Sequence, residues 1–562
     1  MSNYRKNCAM AGMWFAGAMG VASLSPARAQ TPVSTATSVT DDACARLATL
    51  PLDRVVITSA GMQAAMAQVP GANLPGMTGQ PGSGPAISGL PGFCRVVGHI
   101  HPEAGSDIKF EIWLPMSEKW TGRLNGAGNG GLAGSLSYND LASAVRAGQV
   151  GASTDTGHTG SPMESGWAKG HPERIRDYGW RAIHLTTVAA KALTKDFYGR
   201  EPDKSYFVGC SNGGRMALME ASRFPEDYDG IVAGAPASVI TELLMTHMWL
   251  TQVQMPVGAA IRPEQVSLIQ SEVLKQCDGI DGRVDGLVAD PRQCRFDAAK
   301  LACGDNSSAL CLTPPQLTAF RKIQDGPRTA AGRRVAFGFP ATGSEMGVPV
   351  PFFGWNGTIA KGGQTGPLRS AFPDVLTDFP AVPIATDSSF NVNTDPARVN
   401  AALAGELNPQ PDLSRFFARG GKLILWHGWA DATIPPQYTL AFHDRILRAS
   451  GPLASKQMRL FMMPGVQHCF GGPGADVFGQ IGAPPQDDSA ERNIAVAAQD
   501  WVEKGRVPEM LVGRLGLAGM MGMPARGPEK QRLICAFPKR AVLRAGEDSD
   551  KATSYECNKA QQ

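Results

Sequence analysis

Strong net charge is missing: across 562 residues, 53 Lys and Arg face 50 Asp and Glu, leaving a formal charge of +3. So even a balance, with no Lys/Arg cluster, argues against nucleic acid or an anionic membrane as the partner. Long apolar runs are missing too. Beyond the N-terminus nothing approaches the ~20 apolar residues of a membrane-spanning helix. With 43% hydrophobic and 18% charged residues, the composition is that of an ordinary soluble globular protein. The length predicts either several domains or one catalytic domain with a large insertion.

The N-terminus reads as an address label. Arg5 and Lys6 precede an apolar, small-residue run from Ala9 to Leu24, and Ala27-Arg28-Ala29 supplies a small-x-small cleavage signal. Residues 1–29 are therefore expected to be a signal peptide, with the mature chain periplasmic or secreted. Export implies an oxidising compartment. Cys8 leaves with the signal, and the ten cysteines that remain form an even count that suggests disulfides. Residues 30 to about 45 are Thr/Ser/Ala-rich and expected to be poorly ordered. Strand-like pieces at Val55–Thr58 and Phe93–Val97 flank a Pro/Gly loop, Pro70–Gly92, which Cys44 and Cys94 could close.

The chain is organised around Tyr206-Phe207-Val208-Gly209-Cys210-Ser211-Asn212-Gly213-Gly214. A buried strand runs into Gly-x-Ser-x-Gly, and Arg215–Phe224 reads as a helix, the pattern of a nucleophile elbow. Glycines two residues either side of Ser211 are what so tight a turn requires. Upstream, a strand at Trp120–Leu124 enters Asn125-Gly126-Ala127-Gly128-Asn129-Gly130-Gly131, where backbone N–H groups can face a developing oxyanion. Gly131 and Asn212 are the expected donor pair. A strand ending at Ala152–Gly157 and a helix at Trp180–Tyr198 lie between, and His158 reads as structural.

After the strand Gly230–Pro236, strand-helix alternation stops from about Thr241 to Pro411 and resumes at Gly421. The expected architecture is an α/β-hydrolase fold: a first catalytic part at 30–240, an inserted lid at 241–411, and a second catalytic part at 412–562. Past the strand Lys422–Trp426 comes His427-Gly428-Trp429-Ala430-Asp431. Past Arg459–Met463 comes Pro464-Gly465-Val466-Gln467-His468-Cys469. The order Ser211, Asp431, His468 is that of an α/β-hydrolase triad. His427 is expected to line the pocket, and His443 falls in a predicted helix. The nucleophile and the base each have a cysteine neighbour, so a Cys210–Cys469 bridge would clamp the two loops together.

In the lid, Cys277-Asp278-Gly279-Ile280-Asp281-Gly282-Arg283-Val284-Asp285-Gly286-Leu287 spaces three carboxylates among glycines. Asp278, Asp281 and Asp285, with the carbonyls of Arg283 and Leu287, can form a calcium cage, and a solvated acidic turn is the alternative. Phe352-Phe353-Gly354-Trp355-Asn356 offers aromatic surface for an aryl ring, although core packing explains such residues more often.

These motifs together resemble the tannase/feruloyl esterase family of α/β-hydrolases, over nearly the whole mature chain. The resemblance rests on the Cys-Ser elbow, the Gly-Asn-Gly-Gly turn, the acidic loop, His-Gly-x-x-Asp and Pro-Gly-x-x-His-Cys. It implies an esterase of small aromatic-acid esters (tannase, feruloyl esterase or mono(2-hydroxyethyl) terephthalate hydrolase type), with structural Ca2+ and no nucleotide or redox cofactor. It also implies disulfides joining Cys44 to Cys94, Cys210 to Cys469, Cys277 to Cys294, Cys303 to Cys311, and Cys535 to Cys557. Terephthalate-monoester hydrolases hold the substrate carboxylate with a lid arginine; Arg369 is the candidate, and Lys361 its rival. An acyltransferase using the same acyl-enzyme, and an inactive calcium-dependent binding protein, are the alternatives. A monomer is expected.

Overall fold

Nine strands form one mixed sheet: β1 (Val55–Gln63), β2 (Phe93–Ile100), β3 (Ile108–Pro115), β4 (Arg123–Ala127), β5 (Val150–Thr154), β6 (Lys204–Cys210), β7 (Gly230–Gly234), β8 (Lys422–Gly428) and β9 (Met458–Met463). Their spatial order is β1-β2-β3-β5-β4-β6-β7-β8-β9. The first three strands and β5 pair antiparallel; from β5 onward every neighbouring pair is parallel. This computed structural model describes residues 39–66, 68–71, 84–162, 164–304, 310–347, 354–360, 389–480, 489–516 and 530–559.

Why the parallel strands read as continuous apolar runs follows from the layering. Ile231 and Ala233 of β7 face one layer and Val232 the other; Leu423 and Leu425 of β8 oppose Ile424 and Trp426 likewise. Helices cover both faces, so neither face needs polar residues. One layer contains α1 (Ala182–Tyr198) and α2 (Asn212–Arg223). Between β7 and β8 the described residues form helices and no named strand, including α3 (Ile240–Gln252), α4 (Pro263–Cys277) and α5 (Pro314–Asp325). Val266, Ile269, Val273, Phe320 and Ile323 pack there around a core of their own. On the opposite sheet face lies α6 (Ile494–Lys504), which packs through Ile494, Ala497 and Trp501.

Some local expectations shift. The fourth strand starts at Arg123 rather than Trp120, because Gly122 turns the chain at φ 77°. The next strand ends at Thr154, since Asp155–Gly157 form a turn with Thr156 at φ 60°. Val39–Arg46 is helical rather than loose, with Cys44 cross-linked to Cys94 of β2. Inside the Pro/Gly loop, Val69–Gly71 pairs with Gly84–Ile87. The helix expected from Trp180 begins at Ala182, preceded by a π-helical turn at Asp177–Arg181.

One buried charge in α2 bears on stability. Glu220 is 1% exposed, with a carboxylate oxygen within 4.8 Å of one of Asp227. Burial first, and then the neighbouring Asp227, push its carboxyl well above the usual range. A group whose folded pKa is raised contributes stability at low pH that is lost as pH rises through the folded value. Glu220→Gln should therefore raise the melting temperature at pH 8, with the gain shrinking towards pH 5. Scanning calorimetry across that range checks this, and a pH-independent difference would overturn it.

Candidate active site

Ser211 sits at the turn from β6 into α2 with φ 63° and ψ −124°, a conformation that a non-glycine residue adopts only under constraint. The constraint is close packing. A Cβ on Gly209 would lie 2.4 Å from the Gly213 carbonyl oxygen, and one on Gly214 would lie 2.4 Å from that of Gly234. The Ser211 N–H donates to the Gly234 carbonyl at 2.9 Å, fastening the elbow to β7.

From the loop after β9, at the same end of the parallel strands, His468 presents Nε2 at 2.8 Å from Ser211 Oγ and Nδ1 at 2.7 Å from Asp431 Oδ2. Asp431 is 2% exposed, and its other oxygen accepts the N–H groups of Thr433 and Ile434, both at 2.8 Å. Burial opposes its charged form. The His468 charge and the hydrogen bonds of His427 and His468 outweigh that, holding the carboxyl well below the usual carboxylate range. The neighbouring cysteines are joined: Cys210–Cys469 links the two loops with Cα atoms 6.0 Å apart. The other disulfides are Cys44–Cys94, Cys277–Cys294, Cys303–Cys311 and Cys535–Cys557.

The glycine turn lies against the elbow. A Cβ on Gly128 would be 2.5 Å from Gly213 Cα, so the turn and the start of α2 touch backbone to backbone. Gly131 has φ 57°, and its carbonyl accepts from Tyr178 Oη at 2.9 Å. Asn212 opens α2, and its N–H is among the first-turn donors that lack a helical partner.

Two residues here escaped the sequence reading. Asn129 Nδ2 donates to the carbonyls of Ala133, Ser135 and Thr154, holding the glycine turn in shape. Arg215, fully buried, donates to Asn212 Oδ1 at 2.6 Å and to the carbonyls of Gly179, Tyr178 and Leu407. An arginine four residues past the serine, inside a helix with no acid to pair with, was the available signal for the second.

His427 does not line a pocket. It is fully buried behind Asp431, donating or accepting at Thr439 Oγ1 (2.7 Å), Asp431 Oδ2 (3.1 Å) and the Ile434 carbonyl (3.0 Å). Trp355 is 2% exposed and packs on Phe320 in the lid core, so it presents no face to a ligand. Arg369, Lys361, Phe352 and Phe353 lie outside the described residues. His158 is buried against Trp167, with Nε2 at 2.8 Å from the Leu132 carbonyl oxygen, and burial lowers its pKa to about 4. His443 is on the helix Gln437–Ala449 beside Asp444.

The acidic lid loop has the donor chemistry of a hard-cation site. Asp281 and Asp285 are pushed up by burial and also by the neighbouring carboxylates, a repulsion that a cation would relieve. Asp278 accepts the N–H groups of Asp285, Gly286 and Leu287, and Asp285 pairs with Arg283 and Arg532. Among the described residues, triads of ligand atoms within 4.8 Å of one another form elsewhere, at His99/His101/Asp107 and His184/Glu220/Asp227. The loop also touches the loop of His468: a Cβ on Gly465 would be 1.9 Å from Leu287 Cδ1. Arg292 lies over the Trp429 ring at 4.8 Å, and Gln467 donates to the Ser344 carbonyl at 2.8 Å.

A serine on a strained turn at the end of parallel strands, within reach of a histidine and a buried carboxylate, defines the chain as an α/β-fold hydrolase. Comparison with known proteins carries this further. The sequence profile of "Tannase and feruloyl esterase" matches residues 94–558, and the chain belongs to that family of carboxylic ester hydrolases. It is 34% identical to an uncharacterized esterase of Xanthomonas campestris, over 92% of this chain and 91% of that one. To the mono(2-hydroxyethyl) terephthalate hydrolase of Piscinibacter sakaiensis it is 30% identical, over 84% and 86% respectively. The crystal structure of feruloyl esterase B from Aspergillus oryzae superposes with a TM-score of 0.79 at 26% identity, covering 92% of this chain and all of that one.

The clamp between the two loops can be tested. A misplacement of about 1 Å at a reacting pair can cost roughly 10²-fold in rate. Replacing Cys210 and Cys469 together by Ser should lower kcat on a short-chain nitrophenyl ester by about that factor. An unchanged kcat would show that the bridge does not hold the Ser211–His468 distance.

Proposed function

We propose that the protein is an exported serine esterase that cleaves esters of aromatic acids through Ser211, His468 and Asp431. The observation that carries this reading is the single imidazole spanning Ser211 Oγ at 2.8 Å and the Asp431 carboxylate at 2.7 Å. His468 Nε2 accepts the Ser211 proton as Oγ attacks the ester carbonyl. Asp431 holds the ring through Nδ1 and stabilises the imidazolium that forms. The tetrahedral oxyanion rests on the N–H groups of Asn212 and Gly131, each worth about 3 kcal/mol in such sites. Collapse passes the proton from His468 to the departing alkoxide and leaves an aroyl-serine. Water, deprotonated by the same histidine, then releases the acid.

Export is supported by the leader-like N-terminus and the five disulfides. No helix among the described residues is long and apolar enough to cross a membrane. Aromatic acids are supported by relatives named for feruloyl and terephthaloyl esters. The choice between them falls to the lid, where a guanidinium at Arg369 would favour a substrate bearing a free carboxylate.

A hydrolysis panel tests both levels. Ser211→Ala should abolish turnover of mono(2-hydroxyethyl) terephthalate, methyl ferulate and methyl gallate, and Asp431→Asn should reduce kcat by roughly 10⁴-fold. If the terephthalate monoester is the substrate, Arg369→Ala should raise its KM and spare the uncharged esters. Turnover that survives Ser211→Ala would sink the mechanism. Equal effects of Arg369→Ala on every ester would remove the carboxylate role.

Calcium belongs to the same reading, bound by Asp278, Asp281, Asp285 and the carbonyls of Arg283 and Leu287, with Asp285 exchanging its arginine partners for the ion. Its effect would be structural and would reach His468 through the Leu287–Gly465 contact. Stripping with EDTA should lower the melting temperature by several degrees and depress turnover, calcium should restore both, and Asp281→Asn should blunt the response. A melting temperature indifferent to EDTA and to calcium would overturn the assignment.

A further inference from the structure

Two histidines stand side by side on the outer face of β2. Along this strand Cys94, Val96, Gly98 and Ile100 are buried while Arg95, Val97 and His99 alternate outward, and His101 continues that series. A strand repeats every second residue on one face, so a His-x-His pair projects two imidazoles in parallel. Their rings are stacked 18° from coplanar with centroids 6.0 Å apart. His99 Nδ1 lies 2.6 Å from Asp107 Oδ1; His101 Nδ1 lies 3.7 Å from the same oxygen and 3.3 Å from the Ser106 carbonyl oxygen, a contact that a bound ion would replace.

We propose that His99, His101 and Asp107 form a surface zinc site, separate from the triad and from the acidic lid loop. Bonds of about 2.0 Å in a tetrahedron put neighbouring donor atoms about 3.3 Å apart. The observed separations bracket that edge, and all three donor atoms lie within 4.8 Å of one another. Small ring rotations bring them onto one ion. Two imidazoles and a carboxylate suit a borderline divalent transition metal, whereas calcium and magnesium prefer oxygen alone. Zinc can therefore be distinguished from a calcium in the lid by its chemistry.

The frame is fixed and open. His99 is held in the β2–β3 ladder opposite Lys109, and His101 N–H donates to the Arg54 carbonyl at 2.9 Å. The turn between the ligands is tied down by Ser106 Oγ, which donates to buried Asp177 at 2.5 Å. Side-chain exposures of 26% for His99, 48% for His101 and 50% for Asp107 leave an entry path and a fourth position for water. Of the nearby cations, Arg54 donates to the Pro102 carbonyl at 2.5 Å, and Lys109 is the charge that bound zinc must tolerate. The other triad, His184/Glu220/Asp227, already has the Lys191 ammonium 3.7 Å from Asp227 Oδ1. A zinc at His99/His101/Asp107 would fasten the turn from β2 into β3, as a disulfide would.

The test uses the full oxidised protein, stripped of metal and then saturated with calcium, and titrated with zinc chloride in a calorimeter. One zinc per chain with micromolar affinity is expected, together with a melting temperature raised by a few degrees. His101→Ala and Asp107→Asn should each weaken zinc binding at least tenfold and remove the thermal gain, with turnover of the nitrophenyl ester unchanged. Absence of zinc binding would overturn the site, as would binding that survives His99→Ala/His101→Ala. Loss of the zinc in Glu220→Gln alone would move it to the other triad and equally overturn the proposal.

Discussion

The structure depends on one contact between parts of the chain 257 residues apart: the hydrogen bond from Ser211 to His468. Neither loop could hold its position alone. Ser211 stands in a backbone region costing of order 1–3 kcal/mol, and Cys469, next to the histidine, is likewise left-handed at φ 65°. Such conformations persist only where the surroundings over-determine them. Here the surroundings are glycines packed backbone to backbone on one side and a covalent bridge between the adjacent cysteines on the other. Bridging the residues next to Ser211 and His468 limits how far the two can separate while leaving their side chains unconstrained.

The segment between β7 and β8 also bears on the site. Because β7 and β8 are parallel neighbours, the segment inserted between them leaves the sheet at the C-terminal end of β7, beside Ser211, and must cross to the opposite end before β8 begins. Leu287, Arg292 and Ser344 of that segment contact Gly465, Trp429 and Gln467, which lie in the two loops that carry His468 and Asp431. A disturbance in the acidic loop would therefore be felt at the histidine through side-chain packing. Arg215 does the corresponding work on the serine side. Its guanidinium joins Asn212 to the Gly179 and Tyr178 carbonyls and to Leu407 at the far end of the insertion. A buried guanidinium is costly unless its donors are satisfied, and four carbonyl-type acceptors supply that satisfaction.

The legible part of the sequence was what backbone sterics dictate. Gly209 and Gly213 announce an elbow because a Cβ at either presses on neighbouring backbone, and the continuous apolar runs of β7 and β8 fit a sheet covered on both faces. The Ser, Asp, His order and the two Cys neighbours picked out residues that the fold brings together, each as a local pattern with a steric or chemical cause. What could not be read was direction. His427 is the penultimate residue of β8 and His468 follows β9, yet one points back into the core and the other towards Ser211. Trp355 is equally suited to stacking on a ligand or on Phe320, and only packing settles it. Strand edges slipped where a single positive-φ residue, Gly122 or Thr156, moved a turn by two or three positions.

The arrangement around Asp431 shows why a second histidine sits there. A buried carboxylate that orients a catalytic imidazole must stay ionised, yet burial favours its neutral form. Four hydrogen bonds reach it: two backbone N–H groups on one oxygen, and His468 and His427 on the other. His427 is itself fixed by Thr439 Oγ1 through Nδ1, and its Nε2 also approaches the Ile434 carbonyl oxygen. With two acceptors against it, Nε2 carries a proton and shares it between Asp431 and Ile434, which supports the Asp431 charge. The carboxylate is thus held by four hydrogen bonds in an orientation that keeps one oxygen 2.7 Å from His468 Nδ1.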